Sequence, residues 1–419
     1  MIIKKLSILL SCLIMVFGLA ACGSQESSSS AKEESGGKYT QGVTENEILI
    51  GHIAPQTGPV AIYDVVRKGI QSYFDYVNEN GGVNGRQLKL IAYDDQFQPA
   101  KTVQLAKRLV EDDKVFAMLA NVCTACNTAI KDYVVDQGIP MVMVGSGAKT
   151  FVNPPVKNYM GSDVMNYRIE AQIFMNYAVN ELGAKKIAIA YQNDDYGKEG
   201  LEELNKAIKN YPDAEIVTEI PFLATDTEFS SQAQKLEKAN PDAIINFASP
   251  APAANLKKAM HKIGLDEPKY IVSSVGANDN NLFNLAGKDL WEGTYSGATY
   301  PMPEMVPDDK EMQLFVERFS KDNPNDSTEG LSQIGWAAAQ VMVEAIKRSG
   351  DDLSWNHFLD TFYTFEQWEG SIYAGVTFSE NNHYGLTSMF MTQAKDGKIV
   401  PITDPISFDP ETEKIKFSQ

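Results

Sequence analysis

Three short stretches of this chain hold residue types at spacings that can do chemistry. "NVCTACNTA" sets Cys123 and Cys126 two residues apart, between the apolar run "VFAMLA" and the helical-looking "IKDYVVDQG". C-x-x-C at a strand-to-helix junction serves as a redox pair, as half a metal site or as a local disulfide. A helix start lowers a thiol pKa, which favours the first. Redox pairs usually occupy small dedicated domains, however, and this is one loop in a long chain. A zinc site needs about four N/S ligands. No second cysteine pair follows, and His52, His261, His357 and His383 are scattered. "GSGAKT" follows an apolar run but fails the phosphate-loop pattern. Ala148 stands where a Gly must precede Lys149, and Met143 where the first Gly belongs. It also fails G-x-G-x-x-G at Thr150. What remains is a Gly-rich turn whose N–H groups suit a carboxylate. "YQNDDYGKEG" holds Asp194 beside Asp195. Sequence neighbours point apart, so the pair makes a poor acid–base dyad, and an Asp just before a helix reads as an N-cap. Neither H-E-x-x-H nor G-x-S-x-G occurs. The expectation is binding without catalysis, with no cofactor and no metal.

The elements that must position these stretches follow from the whole chain. With 419 residues, 43% of them hydrophobic, it is long enough for two cores. Its net charge is −18, and no basic cluster lies beyond Lys4 and Lys5. That excludes nucleic acid and wide anionic membrane contact as main partners. "MIIKK", the apolar "LSILLSCLIMVFG" and "LAAC" have the layout of a secretory signal. A Cys directly after Leu-Ala-Ala resembles the bacterial lipobox, so residues 1–21 read as signal and Cys22 as the lipidated first residue. Residues 22–43 are Ser- and Glu-rich without apolar periodicity, which reads as a flexible tether. The expected location is extracytoplasmic, lipid-anchored to the cell membrane. An oxidised Cys123–Cys126 pair is permitted there.

From Thr44 onward strand-like and helix-like segments alternate. "EILIGHIAP", "LKLIAYDD", "VFAMLANV" and "PMVMVG" read as buried strands, separated by amphipathic helices. The first helix puts Val66, Ile70, Tyr73, Phe74 and Val77 on one face and stops at Asn80-Gly81-Gly82. The pattern restarts at "RIEAQIFMNYAVNELG", with strands "KKIAIAYQ", "AEIVTEIPF", "DAIINFAS" and "YIVSSVG". Two doubly wound parallel-sheet units in tandem make the fold α/β. After Leu290 the rhythm changes, through "YPMPEMVPDD" into two helices and a strand-like end.

"ILIGHIAPQTGPVAIYD", "NGGVNGR", "AYDDQFQPAKTV" and "AYQNDDYGKEG", in this order and spacing, are similar to the solute-binding proteins of bacterial ABC importers. The branch is the branched-chain amino acid and amide type, with the type I periplasmic-binding fold. The resemblance spans essentially the whole chain after the tether. It implies two lobes joined by three crossovers with the ligand between them, here 44–164 plus 299–368 and 165–298 plus 369–419. Ligands of open α/β sheets bind beyond the C-terminal strand ends. The walls are then "APQTGPVAIYD", "NVCTACNTA", "VGSGAKT", "YQNDDYG", "FASPAP" and "SSVGAN". By this likeness Thr124, Asn127 and Ser146, with Gly147 on the same turn, hold a ligand carboxylate. Tyr63 and Tyr196 cover the ligand from opposite lobes, and Asp195 and Ser249 complete the wall. The cysteines become scaffold, bridged or not. Cys123 matches a family position also held by Cys, whereas Cys126 falls where the family has a small polar residue. The implied partners are a small solute and the permease subunits of an importer, with membrane contact through the lipid only and a monomeric receptor. A ligand sensor of the same fold and an extracytoplasmic thiol oxidoreductase are the competing classes.

The solute reading rests on an absence. Amino-acid binders of this family offer a lobe-two carboxylate to the ligand's ammonium, and a buried ammonium without a partner is costly. "FASPAP" and the start of "SSVGAN" carry no acid. Asp279 reads as past the cleft edge, which leaves Asp194 and Asp195 as the only nearby acids. The expectation is a carboxylate or amide head on an apolar or aromatic body, held without an obligatory ammonium.

Overall fold

The computed structural model describes residues 40–373, 375–409 and 412–417. The signal, the lipidation at Cys22 and the tether up to residue 39 lie outside the described residues. Residues 40–43, expected in the tether, are docked instead. Gln41 Nε2 donates to Val110 O and Val115 O, and Gly42 accepts from Leu49 N.

Two sheets carry the fold. The first is wholly parallel, in the order β2 (Gln87–Asp94), β1 (Glu47–Ala54), β3 (Ala117–Leu119), β4 (Met141–Val144), β5 (Tyr159–Ser162). The second repeats that order with β7 (Glu215–Phe222), β6 (Lys186–Gln192), β8 (Ala243–Phe247), β9 (Lys269–Val272) and β10 (Tyr295–Ala298). The chain leaves for the hairpin β11 (Thr377–Ser379) and β12 (Asn382–Gly385), then returns. It adds the antiparallel strands β13 (Ser388–Lys395), β14 (Lys398–Pro401), β15 (Ile406–Phe408) and β16 (Ile415–Lys416) beyond β10. The strand cores of β3, β4 and β8 are buried throughout, as parallel strands covered on both faces must be.

Helices cover the faces. Those of the first half are α1 (Asp64–Glu79), α2 (Pro99–Lys107), α3 (Thr124–Gln137) and the short α4 (Lys149–Val152). The second half has α5 (Tyr167–Asn176), α6 (Asp195–Ala207), α7 (Ser230–Ala239), α8 (Pro250–Lys262) and the short α9 (Ser274–Ala277), α10 (Asn281–Ala286) and α11 (Lys288–Trp291). The chain then returns to the first half with α12 (Lys310–Asp322), α13 (Leu331–Ser349) and α14 (Trp355–Thr361). Val66, Ile70, Tyr73, Phe74 and Val77 of α1 are buried, against α13 above all. The two helix backbones nearly touch there. A Cβ on Gly335 would lie 1.9 Å from Val66 O, and one on Gly69 2.3 Å from Ser332 O. No larger residue fits either position without the helices parting.

Three segments cross between the halves: the run from β5 to α5, the run from β10 to α12, and the step from β12 to β13. The hairpin β11–β12 packs against β5 of the first sheet, whereas the resemblance assigns this segment to the second lobe. Among the described residues no helix is long and apolar enough to cross a membrane.

Candidate ligand-binding cleft

In each sheet the strand order reverses beside its first strand, between β1 and β3 and between β6 and β8. Loops at such reversals part and leave a crevice. The loops after these four strands supply Tyr63, Thr124, Tyr196 and Ser249, and all four line one cleft. It holds about 500 Å³ of empty space, its open mouth included. Most of the rest of the lining is apolar: Val66, Phe97, Val122, Val164, Val275, Leu331 and Ile334. Among the described residues no Lys, Arg or His lines it.

The polar end is built mainly by the first lobe, with one hydroxyl from Tyr167 at the start of α5 in the second. Cys123 caps α3 in a left-handed conformation, φ 97°, and its sulfur accepts from Cys126 N at 3.1 Å. Cys123 and Cys126 are joined by a disulfide, and both are buried. This loop presents Thr124 at the first turn of α3. Thr124 Oγ1 lies 2.8 Å from Ser146 Oγ and 3.2 Å from Tyr167 Oη. Three hydroxyls and a helix N-terminus thus converge without a cation, an arrangement suited to a carboxylate.

The second lobe presents mostly ring faces. Tyr196 Oη donates to Ala248 O at 3.3 Å and shares a hydrogen bond with Ser273 Oγ. Ser249 Oγ donates to Gln192 Oε1 at 2.8 Å. Tyr167 and Tyr196 pack with ring centroids 4.9 Å apart. Burial pushes the hydroxyls of Tyr63, Tyr167 and Tyr196 above the ordinary tyrosine range, so all three stay neutral. The lobes touch across the cleft, where Tyr63 Oη donates to Val275 O at 3.3 Å.

Tyr63, Thr124, Tyr196 and Ser249 therefore meet in the cleft, with Ser146 behind Thr124. Gly147, Asn127 and Asp195 do not line it. Gly147 is a packing position, since a Cβ there would sit 1.8 Å from Met165 O. Asn127 turns back into its own loop, where its amide donates to Asn121 O at 2.7 Å and Cys123 O at 2.9 Å. The left-handed Cys123 leaves these carbonyls inside, and Asn127 satisfies them. Asp195 is exposed on α6 and borders a separate groove beside Lys149 and Glu199. Asp194 accepts from Gly197 N at 3.2 Å and is the N-cap of α6.

Three cleft residues escape a reading by strand ends. Phe97 stacks on Tyr63, centroids 6.3 Å apart. It is held in a left-handed turn by Asp95, which accepts from Phe97 N at 2.9 Å. The aromatic ring between an acid pair and Pro99 was the available signal. Tyr167 opens α5 behind the Asn166 cap. Asp163 lines the cleft although it sits on a crossover. The acids nearest the ligand space are thus not confined to Asp194 and Asp195. No strand-end pattern marks an acid on a crossover.

Residues 47–398 match the family model described as periplasmic binding protein. The chain belongs to that family, with the two-lobed type I fold that its solved neighbours share. A Leu/Ile/Val-binding protein homolog of Brucella melitensis is 24% identical over 84% of this chain and 93% of its own length. Two solved structures share the fold. The fatty acid ABC transporter substrate-binding protein of Thermomonospora curvata superposes with TM-score 0.80 at 19% identity, covering 90% of this chain and 96% of its own. A solute-binding protein of R. palustris in complex with 4-hydroxybenzoate gives TM-score 0.74 at 18% identity, covering 87% and 98%.

Proposed function

We propose that this chain is an extracytoplasmic receptor that captures a small carboxylate with an apolar or aromatic body and delivers it to an ABC importer. The observation that carries this is the division of the cleft, with converging hydroxyls at the start of α3 and a lining that is otherwise mostly apolar. Ligands named for relatives, from branched-chain amino acids to a fatty acid and 4-hydroxybenzoate, fit that division. Thr124 and Ser146 hold the carboxylate, and Tyr63, Tyr196 and Ser249 close over the body. Ligand contacts both lobes and so favours the closed arrangement. The receptor works as a monomer, tethered by lipid on Cys22, with its third crossover placed between residues 385 and 388. Cys123 and Cys126 are scaffold. Their burial leaves little access for a protein thiol.

A calorimetric panel tests the reading: leucine, isoleucine, valine and phenylalanine beside benzoate, phenylacetate and octanoate. Micromolar binding of at least one, with a smaller radius of gyration in solution scattering, is expected. No binding across the panel counts against it. Cys22→Ser is expected to release the protein from the membrane fraction, and unchanged retention rejects the anchor.

A further inference from the structure

Cys123 takes φ 97° and ψ 114°. Every other non-glycine residue with positive φ among the described residues lies between 45° and 61°, the ordinary left-handed range. A residue with a side chain keeps the conformation of Cys123 only where its surroundings impose it. Two sets of bonds do so. Upstream, Val122 N donates to Ile53 O at 3.0 Å and Asn121 Oδ1 accepts from Ile53 N at 2.8 Å, which pins the segment to β1. Downstream, the bridge to Cys126 ties Cys123 to the first turn of α3. The next residue is Thr124, so the Cys123 torsions set where its hydroxyl stands relative to Ser146 Oγ and Tyr167 Oη, 2.8 Å and 3.2 Å away. Cys123 lines the cleft and also the groove at its mouth, whereas Cys126 is fully buried. A small thiol therefore reaches the bridge from the ligand space, the side that a bound acid covers.

We propose that the Cys123–Cys126 disulfide is a redox-sensitive positioning element of the head-group site. Bridged, it holds Thr124 where a carboxylate is met. Reduced, it lets Cys123 leave φ 97° and withdraws that hydroxyl. The inference rests on the receptor reading above and adds a condition to it. The step is thiol–disulfide exchange with a low-molecular-weight thiol. Two such thiols give up two protons and two electrons and join as a disulfide. The Cys123–Cys126 S–S bond breaks, and each cysteine gains one electron and one proton to become a thiol. The coupling is reciprocal. If the bridge tightens binding, a bound acid makes the bridge harder to reduce by the same factor.

Calorimetry on the full chain tests this with the tightest acid of the panel, before and after reduction by dithiothreitol. Alkylation and peptide mass report the state of Cys123 and Cys126. Affinity is expected to fall roughly tenfold or more on reduction, while circular dichroism shows the protein still folded. Cys123→Ser with Cys126→Ser should bind as weakly as the reduced protein and ignore dithiothreitol. Cys123→Gly with Cys126→Ser should bind at least about threefold tighter than the Ser pair, since glycine takes positive φ freely. Saturating acid should shift the dithiothreitol equilibrium of the wild-type bridge by the factor lost in affinity, about 30 mV for tenfold. Equal affinity of the bridged and reduced protein overturns the proposal alone. Unfolding on reduction overturns it as well, because the bridge then serves stability only. So does a loss of affinity without that shift in the equilibrium. A Gly variant no tighter than the Ser pair takes the effect away from the Cys123 torsions and overturns it too. No binding of any acid to the bridged protein overturns the receptor reading and this inference with it.

Discussion

The two walls of the cleft differ in where their polar groups are committed. On the first lobe Thr124, backed by Ser146, meets the ligand space at the first turn of α3, a helix N-terminus. On the second, Tyr196 bonds to Ser273 and Ala248, and Ser249 to Gln192, all within their own lobe. A wall whose hydroxyls are already spent offers rings and methyl groups. On the reading proposed above, the first lobe reads the head group and the second covers the body. Such a split lets one scaffold serve different apolar bodies without rebuilding its anion site.

The largest expected effect concerns a buried acid that serves the second lobe itself. Burial pushes Glu170 up to about 7, against the pull of its Ser274 hydrogen bonds. The folded protein keeps this proton to higher pH than the unfolded chain does. Stability is then full below the ordinary carboxylate range and falls as pH rises toward 7, by about 3 kcal/mol from this group. Glu170→Gln should flatten that part of the melting-temperature profile between pH 4.5 and pH 8, relative to wild type. Parallel profiles would show that Glu170 is not the group responsible. Next, Thr124→Val keeps the shape and deletes the hydroxyl that joins Ser146 and Tyr167. Affinity for the tightest acid of the panel should drop by about 2 kcal/mol, roughly thirtyfold, beyond the ~1 kcal/mol of stability lost with its hydrogen bonds to Ser146 and Tyr167. An unchanged affinity would remove the head-group role from the first lobe.

Two smaller effects sharpen the contrast. Tyr196→Phe should cost about 1 kcal/mol of stability, because its hydroxyl bonds inside the protein, yet shift affinity less than threefold. The opposite result, stable but weak-binding, would mean that the second lobe also reads polar groups. Tyr63→Phe removes the bond that spans the cleft to Val275. Affinity should fall by about 0.5 kcal/mol, and scattering should show a slightly larger radius of gyration without ligand. No change in either would make that contact incidental to closure.

The alternation of strands and helices was legible because parallel strands need continuous apolar runs, as in β1 and β8, and α1 needs one apolar stripe. The walls were legible in part. Thr124, Tyr63, Tyr196 and Ser249 follow strands at the points where sheet order reverses. Asn127 misled because a polar side chain one turn into a helix looks the same whether it faces a ligand or its own loop. Only the left-handed Cys123 decides. Asp163 was hidden for the converse reason: an acid in an irregular crossover reads as solvent-facing until the fold closes around it. The end of the chain was least legible, because α13 is buried nearly all round and leaves no amphipathic stripe to read.

The contact of α1 with α13 has a consequence for the order of assembly. Gly69 and Gly335 meet backbone to backbone, yet the strands β6–β10 of the second sheet lie between them along the chain. The apolar face of α1 is thus made early and covered late. Until Leu331–Ser349 has emerged, Ile70, Phe74 and their neighbours have no native partner on that side. Such long-range closure slows folding and prolongs the exposure of sticky surface. A nascent chain of this architecture gains from being kept unfolded until it is complete, a requirement that export in an unfolded state would also impose.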